Sequence, residues 1–402
     1  MNTPPHIAPA PARDRFRRTL LGIAALFCVL GFQYATWAAR LPVIKARLGL
    51  TEAEVGLLLM ACGVGAAVSF PLVAALARRL GSRRLALSSA LFLGALLPAL
   101  AAAPDYPIAL IIMFADGVGV GCLNVAMNAQ GAALEAGHQR TAMARLHATF
   151  SAGSLGGALI ASGITAVTPG VTAHFGVAAV LIVLLVAYAW PRLLTEERPG
   201  ERQDAQPQAR TRRGVPMPTR VTIWMGLAMV FGTVTEGAVN DWSALYMKDT
   251  FDASPQVAPL GIAVVSVMMV LARLFADGWR ARWGDGRVVR AGSLLAGAGL
   301  ALALLAGGLV PTLIGFACVG LGIASVTPCV YVAAARQGSD ALALVAAMGT
   351  TGLLAGPPII GFIASATGLV WGMAAIAVSA LLVHLCATRI HWTAVTGERL
   401  PT

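Results

Sequence analysis

Four ionisable side chains interrupt long apolar stretches of this sequence, and all four could transfer protons. They are Asp116, Glu236, Asp241 and His147. An ionisable group inside a membrane span costs about 2.5–3.5 kcal/mol on insertion scales, so each is a functional candidate by default. Glu236 ranks first because it lies well inside its stretch. Its alternative role is permanent pairing with a cation such as Arg40.

A polar face in the first apolar stretch could contact a solute. Gln33, Trp37 and Arg40 are spaced by four and seven residues, which places them on one side of a helix. Arg40 lies near the end of the stretch. It could therefore reach the membrane interface instead and bind nothing.

Amides and aromatic rings add further candidates in three other stretches. Asn124 and Asn128 lie four residues apart, so they either contact a solute or join neighbouring helices. The imidazole of His147 suits proton relay, or it forms a hydrogen bond to Asn128 or Glu135. The remaining solute-binding candidates are Asn240, Trp242 and Tyr331.

These residues need apolar helices to position them, and the composition supplies such helices. Hydrophobic residues make up 57% and charged residues 12% of 402 residues, against about a quarter charged in soluble domains. A span needs roughly 20 apolar residues. The sequence predicts an all-α membrane protein with twelve transmembrane helices, over 19–39, 52–77, 84–103, 107–134, 143–167, 171–191, 220–246, 256–281, 287–309, 311–335, 341–367 and 370–391.

A polar stretch divides these spans into two sets of six. We predict a disordered N-terminus (1–18), an N-terminal bundle (19–192), a linker (193–219), a C-terminal bundle (220–392) and a tail (393–402). Of the 29 lysines and arginines, 24 fall on the side of the linker and both termini, and 4 on the other side. Since positive charge accumulates in cytoplasmic loops, both termini and the linker are predicted to be cytoplasmic.

The loop between the second and third spans has a recognisable basic pattern. Its sequence AALARRLGSRR (74–84) resembles the signature loop of the major facilitator superfamily at Arg79, Gly81, Arg83 and Arg84, whereas Ala74 and Arg78 replace the usual Gly and Asp. The resemblance implies that Arg79, Gly81 and Arg83 serve in gating.

The equivalent loop of the second half, RLFADGWRARWGDGR, retains the acidic position as Asp277. Arg273 precedes it by four residues, so the two could pair on one helix face. We predict a structural or gating role for this pair.

Four more stretches narrow the resemblance: WAARLPVIKARLGL, NVAMNAQGAALE, LHATFSAGSLGGAL and EGAVNDWSALYMKD. Together they are similar to a MosC-like branch of the superfamily near the fucose/glucose permeases. The resemblance implies two pseudo-symmetric six-helix bundles in the bacterial inner membrane. It also implies a central cavity lined by spans one, four, seven and ten, which favours the candidates named above.

The expected function is proton-coupled transport of a small polar organic solute, sugar-like or a related metabolite, by alternating access in a monomer. One alternative is a proton-antiport exporter of drugs or amphiphiles. Another is a transporter-derived sensor that binds a ligand without flux. A remote alternative is an intramembrane enzyme using His147 and Ser151, which are four residues apart.

Several other classes are disfavoured. The formal net charge of +11 comes from basic residues in short loops, where it indicates membrane orientation rather than nucleic acid. The six cysteines lie inside apolar runs with no CxxC or His/Cys cluster, so no metal site is predicted. No cofactor is expected, and the partners are the solute, protons and the lipid bilayer.

Overall fold

The computed structural model describes residues 10–138, 142–168, 170–195 and 219–392. Throughout these residues the chain is helical, with no strand. Helices satisfy every backbone donor and acceptor within one segment, which a chain in hydrocarbon requires. Twelve helical segments are long and apolar enough to cross a membrane, as predicted.

The first six spans lie in five long helices, α1 (Ala10–Ala38), α3 (Glu52–Ala102), α4 (Tyr106–His138), α5 (Met143–Val167) and α6 (Val171–Ala189). A short helix, α2 (Leu41–Leu48), lies between α1 and α3, and a 3₁₀ turn at Trp190–Arg192 follows α6. Helix α3 holds both the second and third spans, which join at Gly81, where φ is 75° and ψ is 162°. A side chain is strained at such a positive φ, so glycine suits this turn.

The last six spans follow residue 219. They are α7 (Arg220–Phe251), α8 (Leu260–Trp283), α9 (Asp285–Ala306), α10 (Leu309–Ile323), α11 (Val326–Arg336), α12 (Ser339–Thr367) and α13 (Leu369–Arg389). The predicted single span 311–335 is broken into α10 and α11 at Ala324 and Ser325. The apolar pattern does not detect this break because the whole segment Leu309–Arg336 is long and apolar enough to cross a membrane as one span.

Two short features shape one end of the bundle. Helix α2 was not predicted, since it lies in the connection after the first span. Helix α3 begins with a capping box in which the hydroxyl of Thr51 accepts a hydrogen bond from the Glu54 N–H, and the Glu54 carboxylate accepts one from the Thr51 N–H. This cap orients the first turn of α3, including Glu52, beside α2.

The two sets of six spans meet closely at α3 and α12. A Cβ on Gly56 would lie 2.9 Å from the carbonyl oxygen of Pro357, and one on Gly361 would lie 2.6 Å from that of Glu52. Small residues allow such backbone contact between membrane helices. The Gly- and Pro-rich sequence of α12 therefore joins the halves.

The bundle has two ends that differ in their contacts. The α2 end carries α2 and the start of α3, and the linker end carries Gly81, Arg192 and Arg220. At the α2 end the halves bond directly: the Ser162 hydroxyl donates to the Gln256 carbonyl at 2.6 Å, and the Gln256 amide donates to the Thr165 carbonyl at 3.3 Å. These bonds hold α5 against the connection before α8.

Candidate functional site

The first buried carboxyl group is that of Asp116 on α4, which is 3% exposed. The Gln33 Nε2 donates to its Oδ1 at 2.6 Å, and the Cys62 Sγ lies 3.7 Å from its Oδ2. Gly117 explains this approach, because a Cβ at that position would overlap the carbonyl oxygen of Cys62. A glycine beside the aspartate therefore brings α4 close enough to α3 for the thiol to reach the carboxyl group.

The second buried carboxyl group is that of Asp241 on α7, which is 6% exposed. The Tyr34 hydroxyl donates to its Oδ1, and this bond joins the first half of the chain to the second. The Tyr34 ring packs edge-on against Trp37, with centroids 5.1 Å apart. Because Tyr34 follows Gln33, consecutive residues of α1 hold the two aspartates.

We call Gln33, Tyr34, Cys62, Asp116 and Asp241 the aspartate site. Neither of its carboxyl groups forms a salt bridge with any residue that the structure describes. Burying a charge without a partner is expensive, so such a group is buried more cheaply as the neutral acid. The site therefore combines two buried carboxyl groups with neutral hydrogen-bond partners.

A second group lies nearer the linker end and contains a cation. The Arg273 Nη2 on α8 lies 3.0 Å from the Glu236 Oε1 on α7. Its Nη1 donates to the hydroxyl of Ser151 on α5. We call Ser151, Glu236 and Arg273 the arginine site. Within this site Arg273 balances the charge of the Glu236 carboxylate and links the two halves.

The arginine site differs from both pairings that the sequence suggested. Arg273 pairs with Glu236 rather than Asp277, and Glu236 pairs with Arg273 rather than Arg40. Asp277 has a side chain that is 83% exposed and lies 3.6 Å from Arg280 Nη1. The Glu236 carboxylate lies within the bundle beside Arg273, whereas the Asp277 side chain is largely exposed.

Arg40 is buried within the protein, at the start of α2. It is 1% exposed, and its Nε donates to the His174 Nδ1 on α6 at 3.0 Å. Trp37 and Trp242 are also buried, at 2% and 1% exposure. In this conformation all three contribute to packing within the bundle.

The amide candidates are less buried towards the linker end. Asn124 is exposed and Asn128 half-buried; the Asn128 Nδ2 donates to the Asn124 Oδ1 at 2.7 Å. Asn240 is buried and donates to the Glu236 carbonyl at 2.8 Å. Tyr331, on α11, is half-buried.

His147 is exposed, and its ring packs edge-on against Phe27 with centroids 5.1 Å apart. The expected bond to Glu135 is replaced by a helix cap. The Glu135 carboxylate accepts hydrogen bonds from the backbone N–H groups of Ala142 and, at 2.8 Å, Met143. A carboxylate is favourable there because the first N–H groups of a helix lack partners.

A third set of charged residues joins the halves at the α2 end. The Lys45 Nζ lies 2.8 Å from the Glu52 Oε1 and 2.6 Å from the Asp249 Oδ2. Burial disfavours the charged lysine, but hydrogen bonds and the charges of Asp249 and Glu52 outweigh it and raise the pKa of Lys45 above its ordinary 10.5. Lys45 is thus a charged link between α2 and α7.

The predicted gating residues of the first half remain within that half. The Arg83 Nη2 donates to the Trp190 carbonyl at 2.8 Å, which ties the turn at Gly81 to the end of α6. Arg79 is exposed at the linker end. No group of three or more His, Cys, Asp or Glu residues in the described ranges could hold a metal ion.

Three members of these sites were not among the candidates named from the sequence. Tyr34 lies about 100° around α1 from Gln33 and so outside the polar face that was predicted. Its available signal was a tyrosine next to the candidate Gln33. Cys62 and Lys45 could not be identified from the sequence, because their roles depend on which helices are neighbours.

Comparisons with known proteins agree with this architecture. A family model described as Major Facilitator Superfamily matches residues 21–338. Membrane protein MosC of Rhizobium meliloti is 30% identical over 386 residues, covering 91% of each chain. An uncharacterised MFS-type transporter of Yersinia pestis is 32% identical, covering 90% of this chain and 94% of its own.

Solved structures share the fold at low sequence identity. The nucleoside transporter NupG superposes with a TM-score of 0.73 at 14% identity, over 94% of this chain and 98% of its own. The MFS transporter FucP in its outward conformation gives a TM-score of 0.60 at 19% identity, over 92% and 99%. These likenesses establish the arrangement of helices.

Proposed function

This chain belongs to the Major Facilitator Superfamily, and we propose that it couples proton movement to transport of a small polar organic solute. Family membership makes it a transporter rather than an enzyme. The aspartate site carries the proposal, because its two buried carboxyl groups lie on opposite halves and form no ion pair within the described ranges. Each can be neutral in one state and charged in another.

The bond between Tyr34 and Asp241 gives protonation a mechanical consequence. It joins α1 of the first half to α7 of the second. Rocking of the halves must therefore separate the tyrosine from the aspartate, which changes the surroundings of the carboxyl group. Proton release then accompanies the change of access. The proton acts as a ligand here, and a ligand shifts a two-state equilibrium only when it binds the two states with different affinity.

The solute site is proposed between the halves on the linker side of the aspartates. Asn124 and Asn128 present amides that are accessible in this conformation, and Tyr331 and Asn240 lie on α11 and α7. Amide groups donate and accept hydrogen bonds, which suits a solute rich in hydroxyl groups. Trp37, Trp242 and Arg40 would contact solute only after the helices move.

Access is proposed to be from the cytoplasm in this conformation. The excess of basic residues at the linker end supports cytoplasmic termini in a bacterial inner membrane. The α2 end, which Lys45, Asp249 and Gln256 hold closed, then faces outward. A single chain contains both halves, so a monomer suffices.

The test uses purified protein in liposomes loaded with a pH-sensitive dye. Pools of polar metabolites are added outside with no starting gradient. Internal acidification supports symport, and alkalinisation supports proton-linked exchange of a polar solute. Silence towards every polar pool, together with a response to lipophilic cations, would overturn the solute class and favour an exporter of amphiphiles.

Matched variants test the role of the carboxyl groups in the same assay. We expect Asp116→Asn and Asp241→Asn to abolish the pH change. Asp340→Asn removes an exposed aspartate at the start of α12 and should leave it intact. Normal pH responses from both buried variants would contradict the proposed coupling site.

A further inference from the structure

A cavity of about 680 Å³ lies at the linker end of the first half, away from the aspartate and arginine sites. The turn at Gly81 and the chain after α6 form its walls. Three arginines line it, at positions 79, 83 and 84. A bond of 2.8 Å from Arg83 Nη2 to the Trp190 carbonyl oxygen keeps the turn and α6 together, so the cavity is a built feature.

Among the described residues the cavity is lined by positive charge alone. The described lining includes no aspartate or glutamate, and none of its three arginines forms a salt bridge with a described residue. The guanidinium groups of Arg79 and Arg84 belong to exposed residues, while that of Arg83 is half-buried. Clustered guanidinium groups recognise phosphate through paired N–H donors.

One wall of the same cavity is apolar. Leu87 and Leu91 lie one helical turn apart on α3, and Leu91 is 39% exposed. Trp190 is 57% exposed at the rim, where tryptophan is typical of the boundary between hydrocarbon and water. A ligand that fits both walls needs a phosphate and an attached hydrocarbon chain.

The equivalent turn of the second half carries acids among its arginines. Gly284 has a similar conformation, with φ of 78° and ψ of 152°. There Arg280 lies 2.8 Å from Asp285 and 3.6 Å from Asp277, while Arg282 and Arg287 form no salt bridge with a described residue. Two acids thus offset part of the positive charge of that turn, whereas Arg78 stands at the acidic position of the first turn.

We propose that the cavity lined by Arg79, Arg83 and Arg84 binds the phosphate headgroup of an anionic phospholipid. Basic pockets beside membrane helices are suited to such headgroups. With cytoplasmic termini the lipid belongs to the inner leaflet. It would hold the turn at Gly81 against α6 and Trp190.

Native mass spectrometry of the full chain in detergent tests this site. Phosphatidylglycerol, phosphatidylcholine and inorganic phosphate are titrated separately. The test variant is Arg79→Gln/Arg84→Gln, which keeps Arg83 and its bond to Trp190. The control, Arg282→Gln/Arg336→Gln, removes two exposed arginines at the linker end of the second half.

We expect phosphatidylglycerol to bind the original chain and the control with similar affinity, and the test variant about thirtyfold more weakly. Phosphatidylcholine should bind all three weakly. Equal phosphatidylglycerol affinity for the test and control variants would overturn the proposal. Preference for inorganic phosphate over the lipid would overturn the assignment to a phospholipid.

Discussion

The aspartate site and the arginine site both place carboxyl groups between helices, yet they offset the cost of burying a charge in different ways. At the arginine site, Glu236 has a guanidinium at 3.0 Å. At the aspartate site, Asp116 and Asp241 have only a glutamine, a thiol and a tyrosine. A carboxylate with a fixed cation can stay charged in every state, whereas one with neutral partners responds to protons.

This difference changes the order of the candidates. By depth in the sequence Glu236 ranks first, but its pairing suits a structural link between α7, α8 and α5. Asp116 and Asp241 become the proposed proton carriers because neither has a cation among the residues described. The partner of a buried acid therefore indicates the role of that acid better than the depth of the acid in its span does.

The largest expected effect is the loss of coupling when an aspartate is neutralised. One proton crossing 100 mV supplies about 2.3 kcal/mol, which corresponds to a concentration ratio of about fiftyfold. In Asp116→Asn or Asp241→Asn, the solute ratio reached under a proton gradient should fall by up to that amount. Radiolabelled accumulation in energised vesicles measures it, with Asp340→Asn as the control.

Unlike the aspartate variants, Glu236→Gln should leave the coupling between protons and solute intact. Because Glu236 is already paired with Arg273, its neutralisation should preserve proton-linked accumulation while weakening the contact between helices. A Glu236→Gln chain that lost coupling as completely as the aspartate variants would break the distinction between the two sites.

Stability should follow the pairing at the arginine site. Arg273→Gln leaves Glu236 without its cation, and we expect a loss of about 2 kcal/mol in the free energy of unfolding. The double variant Arg273→Gln/Glu236→Gln should recover part of this loss, since neither charge is then left alone. Thermal unfolding in detergent measures the three variants, and an equal loss in the double variant would contradict the pair.

Tyr34→Phe should have a smaller effect, confined to transport. It removes the donor to Asp241 while keeping the ring against Trp37. Uphill accumulation should fall about fivefold, as expected for loss of one hydrogen bond of about 1 kcal/mol. Tyr188→Phe is the matched control on α6, where the tyrosine is 40% exposed.

The smallest expected effect concerns the charged link at the α2 end. Lys45→Gln should increase thiol labelling of a cysteine introduced at Gln256 by about two- to fivefold, the range of partly exposed ion pairs. Because the pKa of Lys45 is raised above 10.5, its stabilising effect is complete below that value and is lost as pH rises through the raised pKa. The labelling ratio of the Lys45→Gln/Gln256→Cys chain to the Gln256→Cys chain should therefore stay constant between about pH 6 and 9, since the ionisation of the thiol is common to both.

Much of the fold follows from composition and local patterns. Twelve long apolar runs require twelve helices because backbone groups in hydrocarbon must be paired internally. The Thr51–Glu54 cap and the glycine at position 81 depend on residues within one turn, so they are predictable. The break at Ala324 and the helix α2 were missed, since neither changes the apolar pattern enough.

The acids of the candidate site were predictable from the sequence, whereas their partners were not. Asp116, Asp241 and Glu236 stand out in any apolar run because a charge there is costly. Their partners come from other helices: Gln33 and Tyr34 from α1, Arg273 from α8.

Composition and local pattern establish that this chain spans a membrane twelve times, in two sets of six. They also place several acidic residues inside the spans, where a charge is costly. The tertiary structure alone decided which acid received a cation. Helix rotation and neighbour choice set side-chain partners, and these depend on contacts such as Gly117 against Cys62 that join residues far apart in sequence. Turning α1 by one residue, about 100°, would bring Tyr34 to the place of Gln33 beside Asp116 and leave Asp241 without its donor.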